Sequence, residues 1–406
     1  MILKEKKILL GVTGGIAAYK APELLRLFQK KGALVRVVLT QGAEAFISPL
    51  TFEALTREKV ITQDDFLRPQ GGFIPHIDLG RWAEAIVVTP ATAAFLSGLA
   101  MGDASSVLTA IIMASKAPVL LCPAMNKRMW QHPATQENIS RLKSYGYAVL
   151  SPEEGALACG ERGPGRLPSL ETILAFTERL LAPKDLSGKT VLVTAGPTRE
   201  PIDRVRFISN RSSGRMGVAL AYTAWLRGAT VFLIHGPLSV TLPPGVEGVP
   251  VETAKEMLEA VKRYLSEIDI LVMAAAVADF VVKAPVSGKI KKQEHLNLEL
   301  VKAPDILQSI KDLRRPGQII VGFAAEEGRV LRQEAERKLK EKALDLIVAN
   351  DISRWETGFE VETNEVLILD RLGREKRVSL APKSEIAWAI WDQVLDYERR
   401  KMVKAS

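Results

Sequence analysis

One pattern occurs twice in this chain: a short apolar run that stops at a glycine turn and passes into a helix. The first copy runs from Lys7 to Leu10, through Gly11-Val-Thr-Gly-Gly15, into a helix expected from about Ile16 to Lys31. The second runs from Val191 to Thr194 and stops at Ala195-Gly196-Pro197. It then carries Thr198, Arg199, Asp203, Arg204 and Arg206, and turns through Ser209, Asn210, Ser212, Ser213 and Gly214 into a helix near Met216. Strand, polar turn and helix N-terminus is how a doubly wound α/β domain builds an anion site at the carboxyl ends of its strands. The copies stay in step. Gly32 to Thr40 is echoed by Gly228 to His235, each a C-cap glycine leading into a strand, and Trp82 to Pro90 is echoed by Glu267 to Ala276. The pattern predicts two tandem doubly wound, Rossmann-like α/β domains of three layers each. The boundary falls between Leu181 and Ser187, dividing the chain as 1–184 and 185–406.

A length of 406 residues lets each domain bury its own core, and 47% apolar with 25% charged residues is ordinary for a globular protein. The formal charge of +8 suits either nucleic acid or phosphorylated small molecules. No helix-turn-helix, zinc or aromatic RNA-binding pattern occurs, so the small molecules are preferred and no nucleic-acid partner is expected. Cys122 and Cys159 are the only cysteines, which excludes a disulfide framework and points to a reducing cytoplasm. Lys4, Lys6 and Lys7 before ILLGVTGGIAAY imitate a signal peptide, but Thr13-Gly14-Gly15 breaks the apolar part. No apolar span is long enough for a membrane helix, so no membrane association is expected. The first glycine turn is not G-x-G-x-x-G, and the second strand ends in Leu39-Thr40-Gln41 without the carboxylate of a nicotinamide site.

Gly11, Thr13, Gly14 and Gly15 suit a tight turn as well as a phosphate. His76, in the stretch Gly71 to Leu79, is by itself most simply a structural or surface histidine. Thr89-Pro90-Ala91-Thr92 places small residues where a flat ring can approach the backbone, and Gly102, Asp103, Ser105 and Ser106 open another helix. In Val119 to Trp130 a strand ends at Pro123, which sets Asn126 at the carboxyl edge of the sheet. Met125, Met129 and Trp130 read as packing, Lys127 and Arg128 as surface charge. Gly155 to Pro168 holds four glycines and two prolines around Cys159 and is expected to be a loop without regular structure. A loop cysteine is open to reaction, and Arg162 and Arg166 favour its thiolate.

Together GVTGGIAAYK, PHIDLG, TPATA, PAMNKRMW and ACGERGPGRL resemble the flavin-dependent cysteine decarboxylases. TAGPTREPIDRVRFISNRSSGRMG, AAAVADF and KIKKQ resemble phosphopantothenate-cysteine ligase. Their order matches the bacterial bifunctional enzyme of coenzyme A synthesis, and the resemblance covers nearly the whole chain. It implies a flavodoxin-like first domain that binds FMN, the phosphate near Gly14, Gly15, Thr40 and Ser105 and the ring near Pro90, Ala91 and Thr92. The substrate would be 4'-phosphopantothenoylcysteine, whose thiol is oxidised to a thioaldehyde so that the electrons released with CO2 are accepted. His76 would act as base or orienting group at the thiol, and Asn126 would bind the departing carboxylate. Cys159 would protonate the enethiolate in the final reduction.

For the second domain the resemblance implies that 4'-phosphopantothenate attacks the α-phosphate of CTP and that the amine of L-cysteine captures the acyl cytidylate. Mg2+ and lysines are the expected helpers; the magnesium arrives with the nucleotide, and no protein ligand is assigned to it. Lys289, in Lys289-Ile-Lys-Lys292, matches the family position, although alone it reads as a solvated basic loop. Asn210 would hold the acyl-phosphate region, with Arg206 close by. Asp279, at the end of a strand in VMAAAVADF, would face the nucleotide, cap a helix, or do both. Ala275 would present backbone to the base, Pro304, Asp305, Ile306 and Leu307 form a nucleotide-contacting turn, and Phe323 lies against cytosine. Lys338 and Lys342, four apart on a helix from Arg329 to Ala343, would point at the triphosphate. The family's assembly implies a homo-oligomer with trimeric flavin domains and dimeric ligase domains, up to a dodecamer.

Leu344 to Asn350 reads as a strand, Phe359 to Leu380 as a hairpin turning at Arg371-Leu-Gly373, and a last helix begins near Ser384-Glu385. Two other classes remain open: decarboxylation of a peptide cysteine or different thiol, and a non-catalytic flavin-binding regulator. The nucleotide-type second half argues against the first, and the presence of His76, Asn126 and Cys159 against the second. A nicotinamide dehydrogenase is weaker still.

Overall fold

A computed structural model describes residues 2–68, 71–156, 160–292, 295–351, 353 and 361–405. The chain divides into two units, Met1–Ala182 and Pro183–Ser406, each built on its own parallel sheet.

In the first unit the strands Lys7–Val12, Leu34–Leu39, Ala85–Ala91, Val119–Pro123 and Ala148–Val149 are all parallel, in the spatial order second, first, third, fourth, fifth. This is the flavodoxin order. The central strands read as unbroken apolar runs because helices cover both faces, and Ala85–Ala91 is buried throughout. Leu24, Leu25 and Phe28 pack on one face, Leu96, Leu108 and Ile111 on the other.

The first helix departs from expectation. Ile16–Lys20 is a 3-10 turn and the α-helix is Ala21–Lys30, because Pro22 lacks the N–H that a continuous helix needs and is tolerated only in a first turn. The glycine-rich segment expected to be irregular is an antiparallel hairpin, Glu153–Ala156 against Arg162–Arg166. Gly165 explains it: a Cβ there would lie 2.2 Å from the Met125 carbonyl, whereas the bare backbone accepts the Met125 N–H at 3.0 Å. The glycines permit close approach of chains. Cys159 lies outside the described residues.

The main sheet of the second unit has eight strands. Across the sheet they run Glu247–Pro250, Thr230–His235, Thr190–Ala195, Ile270–Met273, Ile319–Glu326, Leu346–Asp351, Thr363–Asp370 and Glu375–Pro382. The first six are parallel; Thr363–Asp370 runs against them, and Glu375–Pro382 pairs antiparallel with it. Helices Ala254–Leu265, Ile306–Ile310 and Leu331–Glu341 cover one face through Met257, Ile310 and Leu339. Helices Arg215–Leu226 and Lys383–Ala405 pack together on the other.

The last helix starts one residue before the expected capping pair, and the strand before Asp279 ends at Met273. Asp279 therefore closes no strand and caps no helix; it leads into the short strand Phe280–Val282. Of the expected C-terminal hairpin, Phe359 lies outside the described residues.

Trp391 of the last helix is fully buried, and its indole N–H donates to the Leu220 carbonyl at 3.0 Å. Trp391→Ala removes that packing and leaves a cavity, which costs about 3–5 kcal/mol. Chemical denaturation should show the second unit unfolding earlier while the transition of the first unit stays in place; coincident transitions at the wild-type midpoint would refute this.

Candidate active sites

Each sheet has one point where the chain reverses direction of winding, and there the strand ends diverge to leave a crevice. In the first unit this lies between Lys7–Val12 and Ala85–Ala91. Thr13 spans it: its hydroxyl donates to the Pro90 carbonyl at 2.7 Å and accepts the Thr92 N–H at 3.0 Å. A Cβ on Gly14 would sit 2.6 Å from the Gly42 carbonyl carbon, and one on Gly15 would sit 3.6 Å from the Thr92 methyl. Thr40 joins them through its N–H to Val12 at 3.1 Å. Gly14, Gly15, Thr40, Pro90, Ala91 and Thr92 thus form one floor. Ser105 stands apart and exposed, its N–H on Asp103 at 2.9 Å and its carbonyl accepting from Gln63 at 2.8 Å.

Among the described residues of this unit three buried polar atoms lack partners: His76 Nδ1, Thr89 Oγ1 and Ser106 Oγ. Buried polar groups are normally satisfied, so their state fits a polar ligand. His76 sits on the helix Pro75–Trp82, edge-on to the Phe66 ring at 5.7 Å. Asn126 caps Lys127–Gln131 by accepting the Arg128 N–H at 2.8 Å, and its Nδ2 donates to Glu161 at 3.4 Å. The amide therefore reaches Glu161, beside the hairpin strand Arg162–Arg166. The sequence marked Thr13, Thr89 and Ser106 only as parts of a glycine turn, a strand end and a helix start, with no site role of their own.

The second unit opens a cleft of about 510 Å³ at its own switch point, within the size range of small-molecule sites. Asn210, Ala275, Asp279, Pro304, Asp305, Ile306, Leu307, Phe323, Lys338 and Lys342 line it. The two loops at the switch are laced together: Asn210 Nδ2 donates to Val277 at 2.9 Å, Ala276 N–H to Gly196 at 2.9 Å, and Ala278 N–H to the Thr198 hydroxyl at 3.0 Å. Lys338 pairs with Glu326, and Lys342 with Asp305 at 3.1 Å. Asp305 also caps Ile306–Ile310.

Arg206 and Lys289 do not line this cleft. Arg206 binds Asp203 through its Nε at 3.0 Å and donates to the Ile290 carbonyl at 3.1 Å. Asp203 in turn accepts the N–H groups of Val205 and Arg206 at 2.8 Å each and of Ile290 at 3.1 Å. The Arg206 guanidinium, with these backbone donors, holds the Asp203 carboxyl well below the usual carboxylate range. The pair clamps the loop that carries the exposed Lys289. Residues missed in the sequence are Arg215, Asn350, Asn364 and Lys383, all on the cleft wall with Ser212 of the polar turn. Asn350 and Asn364 had a signal, each an amide at the end of an apolar strand; Lys383 had none.

Among the described residues no helix is long and apolar enough to cross a membrane, and no cluster of three His, Cys, Asp or Glu could hold a metal. Residues 2–182 match the model of the Flavoprotein family, and residues 186–397 that of the DNA/pantothenate metabolism flavoprotein C-terminal domain. Fold and family together define a flavoprotein domain followed by a pantothenate-metabolism domain. The coenzyme A biosynthesis bifunctional protein CoaBC of Bacillus subtilis is 44% identical over 97% of both chains. That of Escherichia coli K12 is 41% identical over 99% of this chain and 96% of its own. A crystal structure of the CoaBC C-terminal domain, 36% identical, covers 55% of this chain and all of that one, with a TM-score of 0.46. The chain belongs to the CoaBC family of bifunctional coenzyme A biosynthesis enzymes. It serves both steps of that name, ligation of cysteine to phosphopantothenate and decarboxylation of the product.

Proposed function

We propose that the second unit, 185–406, makes 4'-phosphopantothenoylcysteine from 4'-phosphopantothenate, L-cysteine and CTP, and that the first, 1–184, decarboxylates it with FMN. The ligase reading rests on one observation above the others. One cleft gathers the Asn210 amide, Lys338 and Lys342 among several cations, the Phe323 ring and backbone at the switch point of a doubly wound sheet.

In that cleft Ala275 and Phe323 hold the base, Pro304 to Leu307 cradle the nucleotide beside Asp279, and Lys338 and Lys342 take the triphosphate by leaving Glu326 and Asp305. Asn210 orients the acyl phosphate. Lys289 offsets charge developing on the phosphate oxygens, with Arg206 holding its loop, and Mg2+ enters with the nucleotide. In the first unit Gly14, Gly15, Thr40 and Ser105 hold the FMN phosphate, and Pro90, Ala91 and Thr92 hold the ring. Bound FMN supplies a two-electron acceptor and donor, so that the decarboxylation is redox neutral overall. His76 accepts or orients the thiol proton. Asn126 binds the carboxylate as a neutral donor, which avoids stabilising a charge that must be lost. Cys159 returns a proton to the enethiolate; a free thiol, with a pKa near ~8.5, is mostly protonated at neutral pH and can serve as an acid.

We place the enzyme in the cytoplasm as a homo-oligomer built from flavin-domain trimers and ligase-domain dimers. Tyr19 and Leu50 in the first unit and Phe280 and Val286 in the second are among the exposed apolar side chains available to such an assembly.

Mass spectrometry of products formed from phosphopantothenate, cysteine, CTP and Mg2+ tests both halves. Wild type should yield 4'-phosphopantetheine, Cys159→Ser should stall at an oxidised decarboxylated species, and Lys289→Gln should make no cysteine adduct. Flavin-bound wild type that forms no product would overturn the assignment.

A further inference from the structure

Three cations on the cleft wall have no role in the ligase chemistry above: the exposed Lys302, and Arg215 and Lys383, which each open a helix. Arg215 opens the helix Arg215–Leu226 and Lys383 opens Lys383–Ala405, on the sheet face opposite the helix that carries Lys338. A helix N-terminus is positive, so cations there are unfavourable unless an anion joins them. Little on the protein compensates. Arg215 Nη1 lies 3.6 Å from the exposed Glu362, its Nε is buried without a partner, and the only first-turn acid of the two helices is the exposed Glu385. Lys383 is 8% exposed and spends one proton on the Val361 carbonyl. Burial, and after it the charge of Arg215, hold its ammonium below the usual lysine range. Beside them Asn364 is buried, and Asn350 presents a buried carbonyl oxygen with no donor.

We propose that Arg215 and Lys383 form a subsite for a phosphate dianion on this wall of the cleft, separate from the Lys338 and Lys342 side. The choice of ligands rests on the ligase reading, which brings two phosphate-bearing molecules into one cleft: a nucleoside triphosphate and a phosphorylated acid. A dianion bridging the guanidinium and the ammonium satisfies the orphaned Nε and neutralises both helix ends.

Isothermal titration of the full-length protein separates the sources, using Arg215→Gln and Lys383→Met with CTP, CMP, 4'-phosphopantothenate and pantothenate. Loss of a charged hydrogen bond should raise Kd about 10–100-fold. A loss for phosphopantothenate but not pantothenate assigns the subsite to the acid's phosphate; a loss for CTP but not CMP assigns it to the nucleotide tail. Lys383→Arg should recover most of the affinity. Unchanged affinities in both variants, or equal losses for ligands with and without the distal phosphate, overturn the subsite. Tungstate soaked into wild-type crystals needs no variant: an ion between Arg215 and Lys383 supports the proposal, and ions only at Lys338 and Lys342 refute it. Wild type that binds no CTP would sink the ligase reading instead, and the tungstate result would still judge the subsite.

Discussion

Gly14→Ala protein should purify largely without flavin and lose decarboxylation while cysteine ligation continues. The turn at Gly14 lies against the backbone at Gly42, and an added Cβ would come within 2.6 Å of the Gly42 carbonyl carbon and oxygen. Neither neighbour is a flexible side-chain end, so the two turns must separate, at about 1–3 kcal/mol for overpacking of this kind. In the proposed site that movement opens the phosphate cradle, and the same free energy weakens FMN roughly 10–100-fold. Gly42→Ala is the internal control. Its Cβ would meet Gly14 at 3.5 Å, an ordinary contact, and flavin should be retained. Visible absorbance of both proteins, with product assays for each half, decides the matter; equal flavin content in the two variants would refute the argument.

The second large effect is expected far from any bound ligand. Asp203→Asn should lower ligation by about 100-fold, the usual cost of misplacing a catalytic group by about 1 Å, while added phosphopantothenoylcysteine is still decarboxylated. Asp203 holds Ile290 from its N–H side and, through Arg206, from its carbonyl side. An asparagine keeps the shape but loses the charge that binds the guanidinium, and one acceptor becomes a donor facing other donors. Lys289, next to Ile290, then wanders. The sign of the pH effect follows from the depressed carboxyl. Its contribution is present above the unfolded value, near ~4, and is lost only as pH falls through the lower folded value. Ligation should therefore keep its loop intact as pH drops from ~7 to ~5. A variant with wild-type ligation would show that the clamp is dispensable.

Much of this plan is visible along the chain. The paired strand-turn-helix patterns announce two sheets, because strands buried on both faces must be continuously apolar and their crossovers must begin at turns. The glycines were harder to interpret. In Gly155 to Pro168 they suggested an irregular loop, whereas Gly163 and Gly165 belong to a strand that lies against Met125 and Lys127. Composition alone does not distinguish a glycine that bends the chain from one that lets another chain approach. Pro22, by contrast, carried its own signal, and the short 3-10 turn before Ala21–Lys30 follows from its missing N–H.

Site residues divide the same way. Asn210 and Phe323 were legible because motifs carry them, and Lys338 with Lys342 because helical spacing puts them on one side. Arg206 sits in the most distinctive motif of the chain, yet its guanidinium turns to Asp203 and Ile290. Lys383 lies far along the chain in a stretch that reads as scaffold, and meets Arg215 only where the last helix packs on Arg215–Leu226. Apolar periodicity and turn chemistry are local properties, so the two doubly wound sheets and the polar turns at their carboxyl edges can be read along the chain. Which charges share a wall of the cleft and which are consumed in holding loops emerges on folding, because burial and the loss of solvent screening arise when distant segments meet.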